Sequence, residues 1–235
     1  GASLYSEDGM TTAINEEKGQ EAFDLLTSLF GTYSIPVTTE NFFNSFRYGR
    51  IPIGISNLDT YIKLKNGAPE IAGMWDIAPS PGIMDENGVV HRDQTSAGET
   101  AVIMKRTTMK NEAWDFLKWW LSTEVQEEYG FIMQTKFGPT YIWNTANEEA
   151  FQSTDIEKQH MDVIFEQWKW TYEVPLHPAS YMLERELSNA WNRVVYSGDT
   201  PRASLDKAIL TCNRQIAQKL QEFGYMDDKG NLIKE

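Results

Sequence analysis

The chain has 235 residues, 41% of them apolar and 12% aromatic, with 34 acidic against 21 basic residues and a formal charge of −13. That apolar share supports a sizeable core, in one large domain or two small lobes, and argues against disorder. The charge argues against a nucleic-acid partner, since phosphates would be repelled and no Lys/Arg stripe offsets this. Cys212 is the single cysteine, which excludes an intramolecular disulfide and zinc sites built on several cysteines. No run approaches the ~20 apolar residues that span a bilayer.

The opening "GASLYSEDG" reads as a short scar followed by the middle of a protein. Residues 16–30 then space Ala22, Phe23, Leu26 and Leu29/Phe30 as one face of an amphipathic helix, which Gly31 ends. "NFFNSFRYGR" predicts a second short helix ending near Gly49. "IPIGIS" predicts a buried strand, because a β-branched run lies between turn formers. A short helix, a loop and a strand over Met74–Ala78 follow, with Pro79, Pro81 and Gly82 as the stop. "DENGVVHRDQ" predicts a surface hairpin turning at Asn87-Gly88, and "AVIMK" predicts a further strand.

After "KFGPT" the chain turns helical, over residues 155–172, 179–196 and 201–223. Gly198 stops the second of these, while Thr200 and Pro201 supply the cap and first position of the third. In that third helix Leu205, Ala208/Ile209, Cys212, Ile216, Leu220 and Phe223 form one stripe, so Cys212 reads as a small core residue. Strands interleaved with helices, then helices alone, define an α/β chain with a helical cap.

Catalytic signatures are missing: there is no GxGxxG, GxxxxGK[ST], GxSxG or HExxH. His91 falls in the predicted hairpin, His160 in a helix, and His177 in a loop stiffened by Pro175 and Pro178. The paired carboxylates, such as Glu127/Glu128 and Asp227/Asp228, are neighbours in sequence and point in different directions. Glycosidase chemistry needs two carboxylates facing each other across a cleft. No enzyme is expected, and no metal or other cofactor.

Three tryptophans crowd "NEAWDFLKWWLS", whose Asn111 is placed to cap the helix. On a wheel over residues 111–126, Trp114 and Trp120 join Ala113, Phe116, Leu117, Leu121 and Val125 in one apolar half. Trp119 falls among polar residues. The polar side carries Glu112, Asp115 and Glu124 against Lys118, unlike a membrane-surface helix rich in Lys/Arg.

Several stretches in fixed order carry a resemblance: "FFNSFRYGRIPIGIS", "MWDIAPSPG", "SAGETAVIMKRTTMKNEAWDFLKWWLSTEVQEEYG" and "SGDTPRASLDKAILTCNRQI". Together they resemble the extracellular solute-binding proteins of bacterial ABC importers, the family-1 group that includes maltose-binding protein. The resemblance implies an α/β fold of the periplasmic-binding-protein type II kind, a mixed sheet with helices on both faces and a helical C-terminus. It implies a fragment lacking the N-terminal part of the first lobe. Residues 1–95 would be the first segment of the ligand-binding C-lobe, 96–150 the hinge crossing and returning segment of the other lobe, and 151–235 a helical segment packing on the C-lobe.

Function follows as an expectation from the same resemblance. The chain would bind a sugar, oligosaccharide or similar small polar solute between two lobes and hand it to ABC permease membrane subunits. It would be extracellular or periplasmic, lipid-anchored through a segment absent here. Carried over position by position, the resemblance implies ligand contacts at Asn57, Asp59 and Tyr61, at Glu99 in the small-residue segment Ser96–Glu99, and at Tyr181 and Arg185. Asp59 stands where maltose-binding protein has a tryptophan, a departure from maltodextrin-type stacking. Asn, Asp and Glu bond sugar hydroxyls, while an aromatic face covers the apolar side of the ring. Trp114 and Trp120 would then be under-covered, or buried by another copy. Two rival readings are a glycosidase-associated or hydrolytic enzyme domain and a non-catalytic protein-interaction module.

Overall fold

Residues 1–39, 41–96 and 98–233 are described in the computed structural model. In chain order the helices are α1 (Glu17–Gly31), α2 (Phe42–Arg47), α3 (Leu58–Gly67), α4 (Lys110–Trp120), α5 (Thr123–Phe137), α6 (Glu148–Gln152), α7 (Lys158–Trp168), α8 (Ser180–Ser197) and α9 (Pro201–Glu222). The strands are β1 (Ile83–Met84), β2 (Val90–His91), β3 (Gln94–Thr95) and β4 (Thr171–Tyr172). The chain is helix-rich α/β. Two units divide it: residues 1–38 with 175–235, and residues 39–174. The breaks expected at 95/96 and 150/151 fall inside the second unit.

In the first unit the strongest local signal works as its chemistry dictates. Gly198 adopts φ 76°, the left-handed conformation that ends a helix, and its N–H donates to the Val194 carbonyl at 3.3 Å. Thr200 accepts from the Ala203 N–H at 3.4 Å, and Pro201 loses nothing at a position whose N–H has no intrahelical partner. The short link folds α9 back on α8. Ala179, Leu183, Cys212, Ile216 and Leu220 form one core cluster, and Phe23, Ala190, Leu205, Ala208 and Ile209 a second. Phe223, the expected end of the stripe, is exposed past the last turn of α9.

α1 buries Gly19, Phe23 and Thr27, whereas Ala22, Leu25 and Leu26 face outward. Gly19 is required where it stands: a Cβ there would strike the Ile14 carbonyl. The buried face is therefore rotated from the expected one, toward the residue that allows close approach.

The second unit packs Tyr61, Ile62, Phe151, Ile156 and Met161 into one core, flanked by Trp75, Ile77, Phe165 and Trp168. Its strands are short. β1 and β2 pair antiparallel (Ile83 with His91, Met84 with Val90), and β3 pairs parallel with β4 (Gln94 with Thr171, Thr95 with Tyr172). The hairpin turns as expected: Gly88 has φ 80°, and the Asp85 carboxylate accepts from the N–H groups of Asn87 and Val89.

Three expected strands are absent. "IPIGIS", Met74–Ala78 and "AVIMK" carry no ladder bonds among the described residues, and Ile53, Ile55, Val102 and Met104 are exposed. A β-branched run becomes a strand only beside a partner that takes its N–H and C=O groups. Trp75 and Ile77 still alternate inward, so that segment keeps the period of a strand without its pairing.

The tryptophan-rich stretch also differs from the single wheel. α4 ends at Trp120 and α5 starts at Thr123 after an extended Ser122. Asn111 is not the cap: α4 already begins at Lys110, its N-cap is Met109, and no side chain caps it. No residue of α4 is buried. Trp114, Phe116, Trp119 and Leu121 are each more than half exposed. No helix of the described residues is long and apolar enough to cross a membrane.

Candidate functional site

Of the six residues expected at a ligand site, Asn57, Asp59, Tyr61 and Glu99 lie in the unit of residues 39–174, and Tyr181 and Arg185 in the other. Asn57 caps α3, its side-chain oxygen accepting from the Thr60 N–H at 3.3 Å. Ser56 donates to the Thr60 hydroxyl at 2.7 Å. These bonds set the first turn of α3, where Asp59 is exposed and its negative charge suits the positive end of the helix dipole. The turn thus presents the Asp59 carboxylate to solvent.

Tyr61 is placed otherwise. It is 6% exposed, inside the core, and its ring meets Trp75 edge-on at 5.6 Å. Its hydroxyl lies 2.9 Å from His160 Nδ1, and Asp76 Oδ1 lies 3.0 Å from His160 Nε2. A carboxylate only accepts, so the neutral imidazole carries its proton on Nε2 and Tyr61 donates to Nδ1. Burial, with the Glu157 charge adding, pushes the Tyr61 hydroxyl up to about 12. Tyr61 is thus packed in the core, with its hydroxyl committed to His160.

Glu99 is exposed in an irregular segment, which the Ser96 N–H anchors on the Tyr172 carbonyl at 3.0 Å. Ala97, within the same small-residue stretch, lies outside the described residues.

In the first unit, Tyr181 and Arg185 stand one turn apart on α8. Tyr181 is 66% exposed, and the Arg185 guanidinium lies 6.0 Å from its ring centre. Arg185 donates from Nε and Nη2 to Glu186 Oε1 at 3.2 and 3.1 Å, which pairs a carboxylate that is itself buried. The start of α8 is pinned by the proline-bounded loop. His177 Nδ1 accepts from the Ala179 N–H at 3.0 Å, so Nε2 donates to the Gly9 carbonyl at 2.9 Å. Tyr5 stacks on the His177 ring at 4.3 Å. An exposed ring beside a cation, on a rigid helix start, suits stacking on a sugar face with a hydrogen-bond donor alongside.

The nucleophile and ligand candidates are otherwise engaged. His91 bonds Asp85 in the hairpin at 3.1 Å. Cys212 is buried, and burial followed by the Glu186 charge pushes its thiol up to about 11, away from a reactive thiolate. Among the described residues no group of three His, Cys, Asp or Glu side chains is placed to hold a metal ion.

One polar centre escaped sequence reasoning. Gln126, on the polar half of the wheel, is buried. Its Oε1 accepts from Trp143 Nε1 at 2.7 Å and from the Thr145 hydroxyl at 2.8 Å, while its Nε2 donates to the Trp120 carbonyl at 2.7 Å. Phe131, Gln134 and Trp143 line an open pocket of about 290 Å³ beside it. No periodicity announces such a residue; its burial follows from having every polar atom satisfied.

No protein-family model and no curated protein sequence matches the chain. Solved structures similar to it include the following two. The sugar-binding protein MalE from the phytopathogen Xanthomonas citri matches with a TM-score of 0.73 at 16% identity, over 96% of this chain and 55% of that one. An ABC transporter solute-binding protein from Thermotoga lettingae TMO, bound with α-D-tagatose, matches with a TM-score of 0.57 at 17% identity, over 92% and 53%. The chain spans about half the length of each. At these identities the likeness establishes the fold: a periplasmic-binding-protein type II fold of the kind found in solute-binding proteins.

Proposed function

We propose that the chain is the substrate-binding component of a bacterial ABC importer, working outside the cytoplasm and delivering a carbohydrate or similar small polar solute to membrane permease subunits. The observation that carries this reading is the fold likeness to two proteins named for sugar or solute binding, over nearly all of the chain. The exposed Tyr181–Arg185 pair supports it. In this reading, within the first unit, Tyr181 covers the apolar face of a sugar ring and Arg185 donates to ring or hydroxyl oxygens. Within the second unit, taken by itself, Asn57, Asp59 and Glu99 are the proposed hydroxyl contacts.

The test is thermal unfolding and titration calorimetry of the chain with maltose, maltotriose and α-D-tagatose, with a dipeptide and spermidine as controls. A ligand at a thousandfold excess over its Kd stabilises by about 4 kcal/mol, a shift easily read. Tyr181→Ala should weaken the responding sugar by roughly tenfold, the loss of one stacked ring. If no sugar shifts the melting temperature or gives heat, the carbohydrate assignment fails.

A further inference from the structure

Tyr61, Asp76 and His160 come from three separate parts of the second unit, α3, the irregular segment between α3 and β1, and α7, and they meet in one hydrogen-bonded chain. His160 is buried, its ring stacked on Trp75 at 5.9 Å and edge-on to Tyr61 at 5.3 Å. Asp76 takes a second bond from α7, Gln159 Nε2 donating to its Oδ2 at 3.2 Å. Each ring nitrogen of His160 has its own partner, and α3 reaches α7 through one of them.

Tyr61 also follows Asp59 by two residues, in the same first turn that Asn57 caps. Whatever fixes the Tyr61 ring fixes the direction in which Asn57 and Asp59 face solvent. The cap bonds at Asn57 and Ser56 shape the turn from within, but they do not tie it to the rest of the unit. The packed ring and its hydroxyl do.

We propose that His160 is a positioning residue for ligand binding: by accepting from Tyr61 and donating to Asp76, it holds the first turn of α3 so that Asn57 and Asp59 are preorganised. The inference rests on the proposed function, since it takes those two residues as ligand contacts. It moves Tyr61 from contact to support. Preorganised groups bind better because their ordering cost is already met.

The experiment compares Tyr61→Phe, His160→Phe and His160→Asn by peptide-resolved hydrogen exchange and by calorimetry with whichever of the three named sugars binds the wild type. Tyr61→Phe keeps the ring and loses the bond. His160→Phe keeps the stacking and loses both bonds. His160→Asn keeps an acceptor near Nδ1, as a partial rescue. Expected is exchange about tenfold faster over residues 57–62 in the two phenylalanine variants, with α5, in the same unit, unchanged. Sugar affinity should fall by about fivefold in both, with the asparagine variant between them and wild type.

Unchanged exchange over residues 57–62 overturns the proposal, as does equal acceleration in α5 of the same unit, which marks general destabilisation. Local acceleration with unchanged affinity overturns the link to binding. Local acceleration in a chain whose wild type binds none of the sugars overturns the proposed function, and the ligand role of His160 with it.

Discussion

Helices α9 and α4 carry similar apolar patterns and meet opposite fates. α9 buries seven residues, from Ser204 to Leu220, against α8 and α1, while α4 buries none. Periodicity names the face a helix would hide; a second surface decides whether it does. α9 has that surface three residues upstream, across Gly198–Thr200. α4 is held chiefly at its end, where Gln126 donates to the Trp120 carbonyl and the Trp120 ring meets Tyr129 and Trp143 edge-on. The contrast teaches that a tryptophan cluster marks a core only when its neighbours supply the other wall.

The comparison breaks most sharply at Ile216, which is fully buried between α8 and α9. Ile216→Ala should cost about 3 kcal/mol in denaturant unfolding, the lost methylenes plus the cavity; a cost under ~1 kcal/mol would remove the contrast with α4. Gln126→Leu comes next. It orphans the Trp143 N–H and the Thr145 hydroxyl and should cost about 2 kcal/mol, with a change in tryptophan fluorescence as Trp120 and Trp143 loosen.

Cys212 gives a smaller effect with a definite sign. Its thiol rises from 9.0 in the open chain to about 11 when folded, so the folded state holds a proton that the unfolded state releases. That contribution is full below pH 9, declines as the pH rises toward 11, and is gone above it. The stability difference between wild type and Cys212→Ala should therefore narrow across pH 9–11. Smallest of all is Trp114→Ala, expected within about 0.5 kcal/mol of wild type because the ring is exposed. A cost near 2 kcal/mol would mean that something covers α4 in solution.

Much of the helical architecture was legible. α8 and α9 were readable within a few residues because their ends carry capping chemistry at Gly198, Thr200 and Pro201, and α1 because its apolar spacing stops at Phe30, next to its last helical residue, Gly31. The β1–β2 turn was readable from Asn87-Gly88. The expected strands at "IPIGIS" and "AVIMK" were not realised, because a strand is a property of a pair and sequence pattern describes one member only. The break at Ser122 was hidden because apolar spacing runs on through Val125 while the backbone changes course.

At the candidate site, exposure separates what composition could not. Asp59 and Tyr181 stand in solvent, and Tyr61, two positions from Asp59, is turned inward by its place on α3. The resemblance carried over by position implied all three as contacts, without regard to burial. Gln126 was invisible for the opposite reason: its side chain looks like surface, and only its partners make it core.

The short link at Gly198–Thr200 also bears on the order in which the first unit assembles. α8 and α9 meet across a few residues, so closing their contact costs little chain entropy. α1 must reach the same core from a point about 150 residues earlier in sequence, since Gly31 and Ser180 are that far apart. Local contacts form faster than distant ones. The α8–α9 pair is therefore expected to form first in this unit, and Phe23 to join the core it shares with Ala190 and Leu205 afterwards.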